Sequence, residues 1–170
     1  MTGQQHATTG TLIALIGAGT RIYYNQPHAV AFGIGCTIGA IMPDIDSPKS
    51  LISSFIPFVS TIINRIFGHR KFFHSLSCLV LFDLLFFYIF SQNPFYIQFC
   101  IGFTLGYIIH LLQDTMTKGG AMWLFPFSMK KIALTNNKYN ANFNWVINIF
   151  LIIIFTLLYF TFYFIRFFYN

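Results

Sequence analysis

The chain has 170 residues, of which 56% are hydrophobic, 20% aromatic and only 8% charged. A soluble domain carries roughly 25% charged residues, so this chain lacks the polar surface to face water and belongs in a bilayer. Its net charge of +6 does not indicate a nucleic-acid partner: the basic residues sit in connections between apolar stretches and form no basic helix or run.

Residues 1–170 are one domain's length, a single integral-membrane domain. The start, "MTGQQHATTG", lacks a basic n-region, so no cleavable signal peptide is expected. Residues 8–24 and 28–43 are predicted as two short spans separated by "NQPH". Their glycines at 17, 19, 33, 35 and 39 are costly in a soluble helix but let helix backbones approach closely in a membrane. The stretch "IMPDIDSPKS", residues 41–50, ends the second span with two of the chain's four acidic residues, Asp44 and Asp46. Residues 51–67, "LISSFIPFVSTIINRIF", are interrupted by Pro57 and carry Ser, Thr, Asn and Arg, which predicts an interfacial amphipathic or re-entrant segment rather than a sixth span. Two further spans follow at 75–91 and 95–113, parted by the turn-forming "SQNP". The polar stretch 130–144 is predicted as a loop, and 144–168 as the most clearly apolar span of all. The expected fold is all-α: a polytopic membrane helical bundle of about five transmembrane helices plus an interfacial helix.

Lysine and arginine orient this topology. The connection 44–74 holds Lys49, Arg65, Arg70 and Lys71, and the connection 114–143 holds Lys118, Lys130, Lys131 and Lys138. The positive-inside rule places both in the cytoplasm, with the N-terminus inside and the C-terminus outside; Arg166 near that end weighs mildly against the count. Cys36, Cys78 and Cys100 are odd in number and form no Cys-x-x-Cys pair, so neither a disulfide framework nor a thiolate zinc site is indicated.

The metal-capable residues collect at one end of this topology. His6 precedes the first span, Asp44 and Asp46 follow the second, His69 and His74 precede the third, and His110 and Asp114 end the fourth. Each has an ordinary explanation beside the functional one. Asp44 and Asp46 after Pro43 suit a turn, or two carboxylates curled around a cation. His110 and Asp114, four apart on a helix, share a face, either as a hydrogen-bonded pair satisfying a buried histidine or as ligand and partner for a metal. His69 and His74, five apart, must bracket a helix start or bend, and Gly68 fits such a break. His28 falls on the opposite side and is not expected in the site, while Asp83 lies inside the third span and is expected to pair with a polar neighbour such as a Tyr or Ser of another helix.

Imidazole with carboxylate and no thiolate suits zinc first, and manganese or iron also. Four histidines and three aspartates exceed one tetrahedral ion, so one to three divalent ions are expected, with Asp44 or Asp46 bridging. Arg70 would grip a phosphate in bidentate fashion. The absence of Glu from the whole chain excludes peptidase chemistry of the "HExxH" type.

"PDIDSPKS", "GHRKFFHSL" and "GYIIHLLQDTMTKGGAMWLFPFS" resemble the signature of the LexA-regulated, inner-membrane-bound metal-dependent hydrolases, the YdjM-like family, over about residues 1 to 130. The sequence departs from that pattern at Ser47, where a His is common, at Lys71 and Phe73, which replace Gly and Thr, and at Lys118, where Pro is frequent. None removes a proposed ligand, although Ser47 could lower the metal count. The family is itself thought similar to the zinc-dependent phospholipase C and single-strand nuclease superfamily, and the resemblance implies phosphoester hydrolysis. It implies metal ligands at His6, Asp44, Asp46, His69, His74, His110 and Asp114.

The expected function is therefore a metal-dependent hydrolase of the bacterial inner membrane with its site facing the cytoplasm. Its expected substrate is a phosphoester of a lipid or amphiphile, such as a phospholipid or polyprenyl phosphate. Asp44, Asp46 and Arg70 are the expected catalytic residues. The alternative is a non-catalytic metal-binding membrane protein, a transporter or regulatory scaffold. Ligands at one membrane surface favour chemistry over transport, because a transporter carries them near the midplane. Trp123 and the aromatic "WLFPF" at 123–127 are expected at headgroup level, chiefly as an anchor.

Overall fold

A computed structural model describes residues 3–22, 26–90 and 92–134, with scattered positions between 146 and 157. The helices are α1 (Gly3–Ile22), α2 (Gln26–Ile41), α3 (Pro57–Phe67), α4 (Leu76–Phe90) and α5 (Pro94–Thr115), and short 3-10 turns cover Met42–Asp46, Ile52–Ser54 and Phe72–His74. Among the described residues the structure is mostly helical and has no strand, only an isolated bridge between Ala121 and Ile132. Two helical stretches, Pro27–Asp46 and Pro94–Thr115, are long and apolar enough to cross a membrane, and Leu76–Phe90 is a shorter apolar helix. Most of the predicted span at 144–168 lies outside the described residues.

The core is the packing of α2 between α1 and α5, and it depends on missing side chains. Gly35 and Gly39 of α2 meet the backbone of Phe99 and Phe103; Gly102 and Gly106 of α5 meet that of Phe32 and Cys36. A Cβ added at any of the four would lie 2.0–2.1 Å from a carbonyl oxygen, so only glycine permits this approach. Each pair is a small-xxx-small motif, the usual means of close helix packing where lipid offers no hydrophobic drive. Gly10 of α1 docks on Ala40 of α2 in the same manner. On the other side of α5, Phe103, Tyr107 and Leu111 pack with Leu79 and Ala121, and the Tyr107 hydroxyl donates to the Phe73 carbonyl at 2.5 Å.

Helix ends set where the chain turns. Pro94 sits at the first position of α5, where its missing N–H costs nothing, and Asn93 caps it by accepting from the Phe95 amide at 2.9 Å. Pro57 likewise begins α3, after the Ile52–Ser54 turn, so the 51–67 segment is broken at that proline as expected. Gly68, at φ +72°, ends α3, the break expected before His69. The first helix begins at Gly3, well before the expected residue 8. That early start carries His6 on a rigid helix.

α3 is amphipathic in an inverted sense. Ser60 is buried and donates to the Ile45 carbonyl at 2.7 Å, and Asn64 donates to the Asp46 carbonyl at 2.7 Å. Phe58, Ile62 and Ile66 are exposed on the outer side. Buried serines extend this polar seam: Ser53 bonds Ser60 at 2.6 Å and Ser50 at 2.7 Å. The seam fixes α3 to the turn that carries the two aspartates.

Candidate metal centre

Four elements deliver the site. His6 comes from the first turns of α1, Asp44 and Asp46 from the turn after α2, His74 from the turn before α4, and His110 and Asp114 from the last turns of α5. The residues His6, Asp46, His74, His110 and Asp114 are all at most 1% exposed, and Asp44 as a whole residue is 8% exposed. Burying that many ionisable groups in an apolar protein is expensive unless they are paired or bind an ion.

The hydrogen bonds decide how each imidazole presents itself. His110 Nδ1 lies 2.7 Å from the Ala40 carbonyl, which can only accept, so Nδ1 carries the hydrogen. His6 Nδ1 donates to Gln113 Oε1 at 2.7 Å; the Gln113 amide nitrogen in turn donates to Thr9 at 2.9 Å, which fixes the amide's orientation. His74 Nδ1 donates to Asp46 Oδ2 at 3.2 Å. In each neutral ring the Nε2 lone pair is left pointing inward. These lone pairs converge: His74 Nε2 is 3.3 Å from His110 Nε2, and the His6 and His110 rings stack at 3.8 Å.

Carboxylate oxygens complete the cluster. Asp114 Oδ2 is 3.4 Å from His74 Nε2 and 3.9 Å from His110 Nε2, while its Oδ1 is 3.5 Å from His6 Nε2. Asp44 Oδ1 is 3.7 Å from His74 Nε2 and 3.8 Å from His110 Nε2. Two three-residue groups, His6–Asp44–His110 and His74–His110–Asp114, each bring one donor atom per residue within 4.8 Å of the others, and both use His110. Basic ring nitrogens aimed at one another beside carboxylates are a donor set that fits a divalent cation, and these buried clusters can bind one.

The surrounding groups hold that donor set in place. Both Asp46 oxygens are engaged, Oδ1 by His69 Nδ1 at 2.8 Å and Oδ2 by His74 Nδ1 and the Arg70 amide at 2.9 Å. Asp46 thus orients His74 as a carboxylate commonly orients a metal-binding histidine. His69 bonds Asp46 from the outside with 44% of its side chain exposed, and it belongs to neither three-residue group. Arg70 Nη2 reaches Asp114 Oδ1 at 3.2 Å, and Arg70 holds a left-handed backbone at φ 60°. Gln113 and the Ala40 carbonyl were not anticipated from the sequence; the only signal for Gln113 is its place between His110 and Asp114 on the buried face of α5.

His74 shows the electrostatic state of the cluster. Burial alone would push its imidazole down, yet the hydrogen bonds it donates to Asp114, Asp44 and Asp46 hold it well above the usual 6.5.

The two expected outliers lie elsewhere. His28 stands at the start of α2, the opposite end from the cluster. Asp83 is held by the Thr104 hydroxyl of α5 at 2.9 Å, a polar partner on another helix, though a threonine and not a Tyr or Ser. All three cysteines are free thiols, two of them buried.

Together these features define a helical membrane protein with a buried His/Asp centre able to hold a metal ion. Comparison with known proteins agrees on the class. The model of a family described as YdjM inner membrane protein matches residues 1–168, and the chain belongs to that family. It is 32% identical over 130 residues to the uncharacterized protein YvsG of Bacillus subtilis, covering 76% of each chain. It is 40% identical over 89 residues to the inner membrane protein YdjM of Escherichia coli, 51% of this chain and 44% of that protein, and equally to that of Shigella flexneri. The matched region thus spans a little under half the length of the two YdjM proteins. No solved structure matches.

Proposed function

We propose that the protein is a metal-dependent phosphoester hydrolase of the inner membrane, acting on a lipid or related amphiphile from the cytoplasmic side. The observation that supports it best is the convergence of three inward Nε2 atoms with the carboxylates of Asp44 and Asp114 at one end of the helices. A transporter would be expected to carry such a set near the midplane on broken helices. The proposal includes about five spans, the last formed by residues 144–168, and places the Lys- and Arg-bearing connections in the cytoplasm. LexA control and kinship with zinc-dependent phospholipases C and single-strand nucleases, implied by the motif resemblance, are proposed with it.

His6, His74, His110, Asp44 and Asp114 would hold the ion or ions, with zinc suited first and manganese or iron next. A bound ion lowers the pKa of water and stabilises charge on a phosphoryl oxygen. Asp46 keeps the His74 ring in the tautomer that offers Nε2. Asp44 is the carboxylate of the two groups with exposed surface, 12% of its side chain, and would take a proton from an entering water. Arg70, 21% exposed at the edge of Asp114, would hold a phosphate oxygen by charge-assisted hydrogen bonds.

The test is a hydrolysis screen with purified, metal-loaded protein on phospholipid, nucleotide and polyprenyl-phosphate substrates. Turnover on an amphiphile, lost in Asp44→Ala, is the expected result. Metal retained without turnover on any substrate would favour the non-catalytic alternative, a regulatory scaffold or a transporter.

A further inference from the structure

Every exposed charge among the described residues is positive. The chain has no Glu; Asp44, Asp46 and Asp114 are buried and Asp83 is partly buried in α4. Lys49, Arg65, Lys71, Lys118, Lys130 and Lys131 are all exposed, and all lie on the connections at the metal-centre end. Several are tied to Arg70. Its guanidinium lies on the backbone of Gly119, so Lys118 is the next residue along. Lys71 follows Arg70 directly and lays its stem against Gly68. The bridge between Ala121 and Ile132 brings Lys130 and Lys131 back beside the 119–121 strand of loop.

Exposed apolar side chains flank these cations. Phe55, Phe58 and Ile66 are 79%, 76% and 69% exposed on the α3 side, and Phe127 is 89% exposed on the other. A soluble phosphate compound or a nucleic acid would neutralise the cations but leave these side chains in water. A lipid surface covers both: acyl-glycerol atoms meet the aromatics and an anionic headgroup meets the lysines.

We infer that the basic rim around Arg70, together with the outer face of α3, is a docking surface for anionic phospholipid headgroups. The inference deepens the proposed function by naming the lipid class at the same site, and it rests on that proposal's bilayer setting. Coulombic attraction draws anionic lipid to the rim, while the inverted amphipathicity of α3 keeps that helix in the plane of the interface. Arg70 pairs with Asp114 at 3.2 Å and offsets the charge of that buried carboxylate beneath the rim.

The test uses the full chain in detergent, incubated with equal amounts of phosphatidylcholine and phosphatidylglycerol, washed, and analysed for retained lipid by mass spectrometry. The expected result is enrichment of phosphatidylglycerol that falls in high salt and by about fivefold for each charge removed in Lys71→Gln and Lys118→Gln, with Lys71→Arg restoring it. Equal retention of both lipids, or enrichment indifferent to both substitutions, overturns the inference. Displacement of the retained phosphatidylglycerol by a short single-stranded oligonucleotide overturns it in favour of nucleic acid. Retention is scored without turnover, so a protein that hydrolyses nothing in the substrate screen can still pass, and a hydrolase can fail.

Discussion

The Nε2 atoms of His74 and His110 face each other across 3.3 Å, although each ring already commits its Nδ1 hydrogen to another acceptor, Asp46 in one case and the Ala40 carbonyl in the other. Two lone pairs at that distance repel unless a cation shares them. The three surrounding carboxylates favour a proton on His74 against the cost of burial.

A pH dependence follows. The folded-state value of His74 is raised above its ordinary 6.5, so its contribution to stability is fully present below about pH 6.5 and is lost as pH rises through the raised value. Metal competes with that proton, so metal affinity rises with pH over the same window and binding releases protons. Thermal unfolding of chelator-treated protein in detergent should show a midpoint that falls toward alkaline pH, and zinc should reverse the trend. A chelated protein that gains stability on going alkaline would contradict this.

Asp46 and Gln113 act through the histidines they hold. Asp46→Asn weakens the acceptor on His74, and Gln113→Ala leaves His6 Nδ1 without its partner at 2.7 Å. Each should lower metal affinity by about 10- to 100-fold with little change in helical content, measured by competition with a chromophoric chelator. Asp83→Asn, at a residue bonded to Thr104 in a different part of the bundle, should leave affinity unchanged.

Gly119 leaves room for Arg70. A methyl group there would fall 1.4 Å from Nη1, but the clash is with the end of a flexible side chain, so Gly119→Ala should displace the guanidinium from Asp114 without unfolding the protein. Binding of inorganic phosphate to the metal-loaded protein should weaken about as much as in Arg70→Ala. An unchanged phosphate affinity in both variants would show that Arg70 has no part in anion binding.

The glycines between α2 and α5 offer no such relief, because the obstacle is backbone. Gly106→Ala places a Cβ 2.0 Å from the Cys36 carbonyl oxygen, and the helices must part. A loss of about 1–3 kcal/mol is expected, as for other overpacked cores. Gly33→Ala, with nothing within 4 Å of the new atom, is the control and should be nearly neutral.

Much of the site's location was legible because the chain is so apolar: its few ionisable residues stand out, and helix lengths bring His6, Asp44, His74, His110 and Asp114 to one end. Which of them face one another was not legible. Asp44 and Asp46 are identical in chemistry and two apart, and only the 3-10 winding of Met42–Asp46 turns one toward the donor cluster and the other toward His69 and the Arg70 amide. The Ala40 carbonyl has no sequence signal at all, and Gln113 reads as one polar residue among many. The start of α1 was misjudged because "GQQHATTG" looks too polar to belong to a span; three of its polar side chains, Gln5, His6 and Thr9, are buried, while Gln4 and Thr8 are exposed. In α3 the polarity marked an amphipathic helix as expected, but which side it turns to the protein was not legible: Ser60 and Asn64 face inward, and Phe58, Ile62 and Ile66 face out.

The most direct measurement is the metal content of the purified protein beside His110→Ala and Asp44→Ala. His110 belongs to both three-residue groups and Asp44 to one. The account predicts bound divalent metal in the native chain, none in His110→Ala, and a reduced amount in Asp44→Ala. Equal metal in all three proteins, or none in the native chain after zinc loading, would contradict it.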